Sequence, residues 1–413
     1  MDSSTKIHLP VFILTLCLVV LYSCSGNTGT DTQIIDIESA VGTGSIHKAS
    51  EILKDIRYIR LETTPASLIG YIRNIIIENG KIYILAYGNV NTITIFDING
   101  KYLNTLNRTG RGPEEYLSIT DFTVNSQGNI VIASDEAEIL EYNSDLKFVR
   151  KITPDENALS NSRKWNFIML TDGLFASGII YAGTNPGDVK QDLIIYNEDS
   201  LSVLQSYNVN TQQLIPGVSS VVISYYERYI YENSLNIYKI GNDTIFNIDY
   251  ENGYLKTARY IMNYGKYRLS EELYFETYES GSEELRLIYI NSLYETDKYL
   301  FMDFNMNALA PEPVEIKTNT RSYKRTNVYA LYDKKQRKFY FLNQPIPQVP
   351  GLKDDIVNGI PFWPKRVTAK QELFTWYNAL ELISLAEENK IDQSIVVNLK
   401  EDDNPVIVIA TPK

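Results

Sequence analysis

The chain has 413 residues, 39 of them basic and 51 acidic, for a formal charge of -12, and 44% are hydrophobic. It is long enough for one large repeat-built domain or two ordinary ones, and its composition argues against disorder. The acidic balance excludes nucleic acid as an expected partner, because phosphate binding needs clustered Lys and Arg.

Residues 9–21 form an apolar run broken only by Pro10 and Thr15, with Lys6 offset by Asp2 ahead of it. A membrane-crossing helix needs about 20 residues, so the run reads as the core of an export signal. It ends in Leu21-Tyr22-Ser23-Cys24, which resembles the bacterial lipoprotein signal, with Tyr22 in place of the usual small residue. That resemblance implies cleavage after Ser23 and acylation of Cys24, with several acyl chains giving a stable anchor, since each buried methylene contributes about 0.8 kcal/mol. The small, polar residues 25–32 suit a flexible tether. The expected organisation is a signal over 1–23, a lipidated Cys24 and tether over 24–50, and a folded body over 51–413.

The rest of the Cys and His count restricts the chemistry. Two Cys and two His occur in all, and Cys17, Cys24 and His8 lie in the leader and anchor, leaving His47. A zinc site of His and Cys, thiol catalysis and a disulfide are all excluded from the mature chain. His47 reads as a loop residue. No cofactor or metal site is expected, and any catalysis would rest on carboxylates, Tyr, Lys or Arg.

From residue 56 onward the chain reads as short strands rich in Ile, Val, Tyr and Phe, punctuated by Gly, Asn and Asp. Two segments superpose: 79–85 with 94–103, and 127–133 with 140–149. Gly80 and Gly128 are 48 apart, and Lys101 and Lys147 are 46 apart. Asn99-Gly100 is a hairpin signal, since both residues accept positive φ. A third copy runs over 172–176, 193–197 and 202–204, and weaker copies over 236–248 and 328–341. An all-β unit repeating every 40 to 50 residues points to propeller blades. The first strand, near 56–61, is expected to share a blade with 406–409, which removes open sheet edges. Over 368–390, Leu373, Trp376, Tyr377, Leu380 and Ile383 fall at helical spacing, which predicts an amphipathic helix.

Arg60-Leu61-Glu62-Thr63-Thr64-Pro65 with 68–72, Phe96-Asp97-Ile98-Asn99-Gly100-Lys101, Gly110-Arg111-Gly112-Pro113-Glu114-Glu115-Tyr116, Asn358-Gly359-Ile360-Pro361-Phe362-Trp363-Pro364 and 404–409 form a set of motifs in a fixed order. Together they resemble a family of lipoproteins of Bacteroides and related bacteria described as six-bladed β-propellers. The resemblance spans about 52–409, and implies an all-β fold of six four-stranded antiparallel blades. It carries no assigned activity.

Gly110-Arg111-Gly112-Pro113 lacks the Gly-Lys-Ser/Thr ending of a phosphate loop, and Pro113 removes an amide donor, so it reads as a tight inter-blade connection. Arg108, Arg111, Glu115 and Tyr116 are nevertheless the candidate ligand-binding residues, because guanidinium holds carboxylates and sugar acids with two parallel bonds. Adjacent carboxylates on a strand face opposite sides, so pairs such as Asp354-Asp355 are not glycosidase constellations. No residue is assigned a catalytic role. Phe362-Trp363-Pro364 reads as a buried anchor for the last blade. Two functions from different classes remain. One is a non-catalytic, membrane-anchored module holding a glycan, a peptide or an envelope protein. The other is a carbohydrate hydrolase or lyase working from carboxylate, Tyr or Arg groups in the funnel.

Overall fold

The structure is a computed structural model. It describes residues 32–413 apart from 87–88, 135–137, 153–161, 172–173, 182–189, 198–201, 209–211, 215–220, 224–225, 271–272, 274–285 and 318–321. The leader and Cys24 lie outside the described residues.

Within the described residues the strands assemble into a propeller of antiparallel sheets. Blade 1 is Ile72–Glu78, Lys81–Ala86, Asn89–Asp97 and Tyr102–Asn107. Blade 2 is Ile119–Val124, Ile130–Ser134, Ile139–Tyr142 and Phe148–Ile152. Blade 3 is Ser162–Thr171, Leu174–Tyr181, Lys190–Asn197 and Val203–Asn208. Blade 4 is Tyr289–Glu295, Tyr299–Asn305, Asn327–Asp333 and Lys338–Phe341, with a hairpin of Val314–Lys317 and Ser322–Arg325 inserted between its second and third strands. The closing blade orders Leu53–Arg60, Val406–Pro412, Leu373–Tyr377 and Arg366–Val367. The sequence-based expectation of six four-stranded blades is corrected here: five sheets have four strands. Another has five, because Gln33–Asp36 adds in parallel to Leu255–Asn263, the outer strand of a meander that begins at Tyr226–Tyr231, and two more have two strands each. That strand also shortens the expected tether, since the chain is already paired at Gln33 rather than free to residue 50.

Repetition is visible atom by atom in the turns. Asp97 Oδ1 accepts from the Asn99 and Lys101 amides, both at 2.9 Å. Asn143 Oδ1 accepts from the Asp145 and Lys147 amides, both at 3.0 Å. Each side chain thereby builds a turn that forces positive φ three residues later: +88° at Gly100 and +61° at Leu146. At Gly100 a Cβ would lie 2.0 Å from the Arg60 carbonyl oxygen, so only glycine fits. Leu146 has no such wall and its side chain is buried between blades 1 and 2.

Apolar faces join the sheets in circular order. Tyr83, Leu85 and Ile93 of blade 1 pack on Phe122, Ile132 and Leu140 of blade 2. The inner strands of blades 2 and 3 touch. Leu193 and Ile195 meet Leu235 and Ile237 of the five-stranded sheet, and Ile245 and Tyr260 of that sheet meet Leu293 and Met302 of blade 4. Phe301 and Leu331 then meet Leu373 and Val408, and Phe374, Ile407 and Ile409 return to Ile75, Ile82 and Ile84 of blade 1. Burying each such side chain contributes roughly 1.5–3 kcal/mol.

The closing blade confirms the expected sharing of chain ends: Leu53–Arg60 pairs antiparallel with Val406–Pro412, with Arg57 opposite Ile409. The predicted helix over 368–390 is corrected. Its first half is the strand Leu373–Tyr377, and only Ala379–Glu387 is helical. Leu373, Phe374 and Thr375 are buried in succession, as in a strand covered on both faces, and a 3.6-residue stripe does not describe that. The reversal that separates the strands turns at Gln371, φ +65°, closed by the Thr368 amide donating to the Glu372 carbonyl at 2.8 Å.

Candidate functional site

The innermost strands all begin on one face of the propeller. Register carries other elements to the same face. Arg366 lies opposite Phe374, so the Tyr377 end of the next strand and the helix Ala379–Glu387 follow there. Tyr289 lies opposite Asn305 and Asn305 opposite Asn327, so the inserted hairpin springs from that face too.

There, where the five-stranded sheet, blade 4 and the closing blade meet, ionisable side chains gather. Lys365, Arg366, Arg325, Glu381 and Glu227 are solvent-exposed, and Asp303 and Tyr294 are half-buried. Their charges are nevertheless poorly hydrated. Burial pulls the Lys365 ammonium down, and nearby Arg325 and Arg366 add to this against the pull of Glu381. Burial raises Glu381 against the influence of Lys365 and Arg325, and raises Glu227 against Arg228 and Arg366. The Asp303 carboxyl is pushed up to about 6 by burial, with Asn327 opposing through an amide donated at 2.7 Å. Each of these groups feels the charge of its neighbours, which places them together at this end of the propeller.

Contacts hold several of them in place. Lys365 Nζ donates to the Trp376 carbonyl at 3.0 Å and sits 4.6 Å from the Trp376 ring centroid and 5.6 Å from that of Tyr377. Arg366 donates to the Tyr294 hydroxyl at 3.4 Å. Tyr329 stacks on Trp363 at 4.4 Å, and Trp363 packs edge-on to Phe301, so the expected buried anchor is in place. Among the described residues, Lys365, Arg366 and Arg325 form no ion pair with a carboxylate, and the buried Arg228 Nη1 has no hydrogen-bond partner. Among the described residues no group of three or more His, Cys, Asp or Glu is placed to hold a metal ion.

The residues singled out from sequence occupy the same face, across the junction of blades 1 and 2. Tyr116 is buried and donates to the Asn91 carbonyl at 2.9 Å while accepting from the Arg108 amide at 3.3 Å. Arg108 reaches the Leu146 carbonyl at 3.4 Å. Glu115 folds into its own loop, accepting from the Gly112 amide at 2.7 Å. Arg108 and Arg111 are exposed, Glu115 is half-buried and Tyr116 is buried. The loop is therefore held together by three of them, as a tight inter-blade connection requires.

A second ionic cluster was not visible in the sequence. The buried Glu295 carboxylate accepts from the hydroxyls of Tyr229 and Tyr260, both at 2.8 Å, from Arg259 at 2.7 Å and from Lys334 at 2.8 Å. Burial would raise this carboxyl, and the two cations outweigh burial and hold it below the usual range. Both cations also face the Tyr231 ring, at 5.0 and 4.3 Å. Four side chains donate to this one carboxylate, so the cluster fastens the five-stranded sheet to blade 4.

The fold and this charged mouth define a β-propeller with few helices. A family model matches residues 32–411, and the chain belongs to that family, described as a domain of unknown function (DUF4934). A Bacteroides fragilis protein described as exported is 16% identical, with a TM-score of 0.61 over 92% of this chain and all of that one. A member of a DUF4221 family from Bacteroides vulgatus is 12% identical with a TM-score of 0.46, covering 87% of this chain and 97% of that one. A luciferin-regenerating enzyme is 11% identical with a TM-score of 0.40, covering 86% and 95%. At these identities the likeness speaks to fold alone, and the last two are too loose to argue from. No protein of curated function matches the chain.

Proposed function

We propose that this chain is an envelope lipoprotein, anchored at the outer membrane through Cys24, whose propeller is a non-catalytic binding or scaffold module for a glycan, a peptide or an envelope protein partner. In this reading the five-stranded sheet serves as a sixth blade. The lipoprotein signal and the exported neighbour in Bacteroides fragilis support the location. Among the described residues no helix is long and apolar enough to cross a membrane. The observation that carries the binding role is the charged mouth, where Lys365 lies over the Trp376 and Tyr377 rings and Arg366 donates to the Tyr294 hydroxyl. Asp303 is hydrogen-bonded to Asn327, and Glu381 and Glu227 each lie near two cations. The test screens the purified full chain in detergent against glycans and uses it as bait in envelope extracts. Saturable binding of a glycan, or recovery of one reproducible partner, is expected. If neither occurs, the reading falls.

A further inference from the structure

We infer that Ser45, His47 and Glu51 form a nucleophilic site that hydrolyses esters of short carboxylic acids. The site goes beyond the binding reading and does not depend on it, because residues 45–51 lie outside every strand of the propeller.

Local backbone geometry brings the three side chains together. Bridges from Ser45 to Leu342 and from Lys48 to Lys353 hold 45–48 as an extended run, so Ser45 and His47 share a side. The Ser45 amide donates to the Phe341 carbonyl at 3.2 Å, the Asn343 amide to the Ser45 carbonyl at 3.0 Å, and the Lys353 amide to the His47 carbonyl at 2.8 Å. The helical turn Ala49–Ile52 follows and sets Glu51 four residues after His47. Ala49 and Ile52 are buried with residues of blade 4 and the closing blade, which anchors that turn.

Ser45 Oγ lies 3.0 Å from His47 Nε2, and His47 Nδ1 lies 3.7 Å from Glu51 Oε2. With the Nδ1 proton turned to the carboxylate, Nε2 is left to accept from the serine hydroxyl. Nucleophile, base and orienting acid thus stand in the order that acyl transfer uses. The second contact is longer than a hydrogen bond, as is common before substrate binds. The Tyr340 ring meets the imidazole edge-on at 5.0 Å and limits its rotation. His47 is half-buried, and burial lowers its pKa more than Glu51 raises it, so the ring is a neutral base at pH 7. A Cβ at Gly44 would fall 2.1 Å from Asn343 Oδ1, so that carboxamide lies directly against the chain before Ser45. Its Nδ2 has no acceptor among the described residues, which leaves a donor beside the serine for a developing oxyanion.

The chemistry follows from these positions. Ser45 Oγ bonds to the ester carbonyl carbon as its proton passes to Nε2. The carbonyl then re-forms, the bond to the alkoxy oxygen breaks, and Nε2 gives the proton to the leaving alcohol. Water attacks the acyl-serine, its proton passing to Nε2, and the carboxylic acid leaves as Ser45 recovers that proton. An ester suits the site better than an amide, because an alcohol leaves more readily than an amine. Ser45 is open to solvent, and its neighbour Ile46, 51% exposed, is apolar surface enough for a short acyl chain only.

The test treats the purified full chain in detergent with an alkyl fluorophosphonate, locates the adduct by peptide mass spectrometry, and follows nitrophenolate release from p-nitrophenyl acetate. An adduct on Ser45 and release beyond one equivalent are expected. Ser45→Ala should abolish the adduct, and Ser45→Ala and His47→Gln should each slow release at least tenfold with an unchanged melting temperature. Glu51 is a positioning residue and is read by pH. Among the described residues the titratable or charged side chains around the His47 ring are Glu51 and Tyr340, with Lys338 over the Tyr340 ring at 5.0 Å. Release should fall toward acid pH as His47 takes up a proton. Glu51→Gln removes the charge that raises His47, so the midpoint of that fall should move to lower pH. An adduct that persists in Ser45→Ala, or release unchanged in both Ser45→Ala and His47→Gln, overturns the inference. A midpoint that stays in place overturns the part given to Glu51.

Discussion

Asn404 is the residue whose loss should be felt most for its size. It is 1% exposed and sits just before the strand Val406–Pro412. Its Oδ1 accepts from the Ile69 amide at 2.7 Å, and its Nδ2 donates to the carbonyls of Ser67 at 2.8 Å and Glu62 at 2.9 Å. Its own amide donates to Thr63 Oγ1 at 2.9 Å, across 341 residues of chain. One amide side chain thus satisfies three backbone groups of the loop that leads from the closing blade to blade 1. Asn404→Ala removes all three bonds at once. Leaving a buried polar group unpaired costs roughly 1–3 kcal/mol, and the Ile69 and Ser67 groups are both buried. Glu62 is less enclosed and water replaces part of its bond. The expected loss is about 3–5 kcal/mol, a large share of the roughly 5–15 kcal/mol typical of a folded domain. Asn404→Asp should be no better, because it keeps the acceptor for Ile69 but turns a second oxygen on two carbonyls. Urea unfolding should show a lower midpoint with an unchanged slope, and hydrogen exchange should show the Ile69 amide losing protection. A loss below about 1 kcal/mol with Ile69 still protected would refute the reasoning.

The Glu295 cluster and the Asp303 carboxyl give two more expectations. Glu295→Gln leaves Arg259 and Lys334 partly buried without their anion, and should cost about 3–5 kcal/mol in urea unfolding, with a cost under 1 kcal/mol counting against a structural role. Asp303 is raised from 3.8 to about 6 in the folded chain, so between those values the folded state binds more protons than the unfolded one. Stability should therefore fall as pH rises from about 4 to 6, by up to about 3 kcal/mol, and Asp303→Asn should flatten that slope and stabilise the chain at pH 7. An identical slope in the variant would assign the pH dependence elsewhere.

Much of the fold was legible because each blade repeats its turn chemistry. Gly80 and Gly128, 48 apart in sequence, both take positive φ, +72° and +81°, in equivalent hairpins. The pairing of the chain ends could also be read, since Ile56, Ile59, Ile407 and Ile409 need partners on both faces. The segment at 368–390 misled because five apolar residues happened to fit a helical stripe, although Leu373 to Thr375 is an unbroken buried run. Leu380 belonged to that stripe and is 51% exposed, while Ala379, Leu382, Leu385 and Ala386 form the buried face of the helix. Blade 4 was hard to delimit because a hairpin is inserted within it. The mouth escaped notice for a different reason. Lys365, Arg325 and Glu381 come from separate loops and elements, and no local pattern says that three such residues meet. The glycine-rich motif at 110–116 drew attention as a site because its arginines are local to it. Its Glu115 and Tyr116 are occupied in holding the loop.

The way the ring is closed has a consequence for the order in which the molecule can be completed. Val406–Pro412 is an interior strand, paired with Leu53–Arg60 on one side and Leu373–Tyr377 on the other. Until those last residues are available, the closing blade has a gap in its middle and two unpaired edges. Blades 1 to 4 can form from neighbouring segments as they appear, but closure waits for contacts of the longest possible sequence separation, which form slowly. During that interval the incomplete propeller exposes strand edges of the kind that recruit other chains. A premature stop that removes only the final eight residues would therefore act like the loss of a whole blade, and its product should aggregate or be degraded rather than persist as a slightly shortened protein.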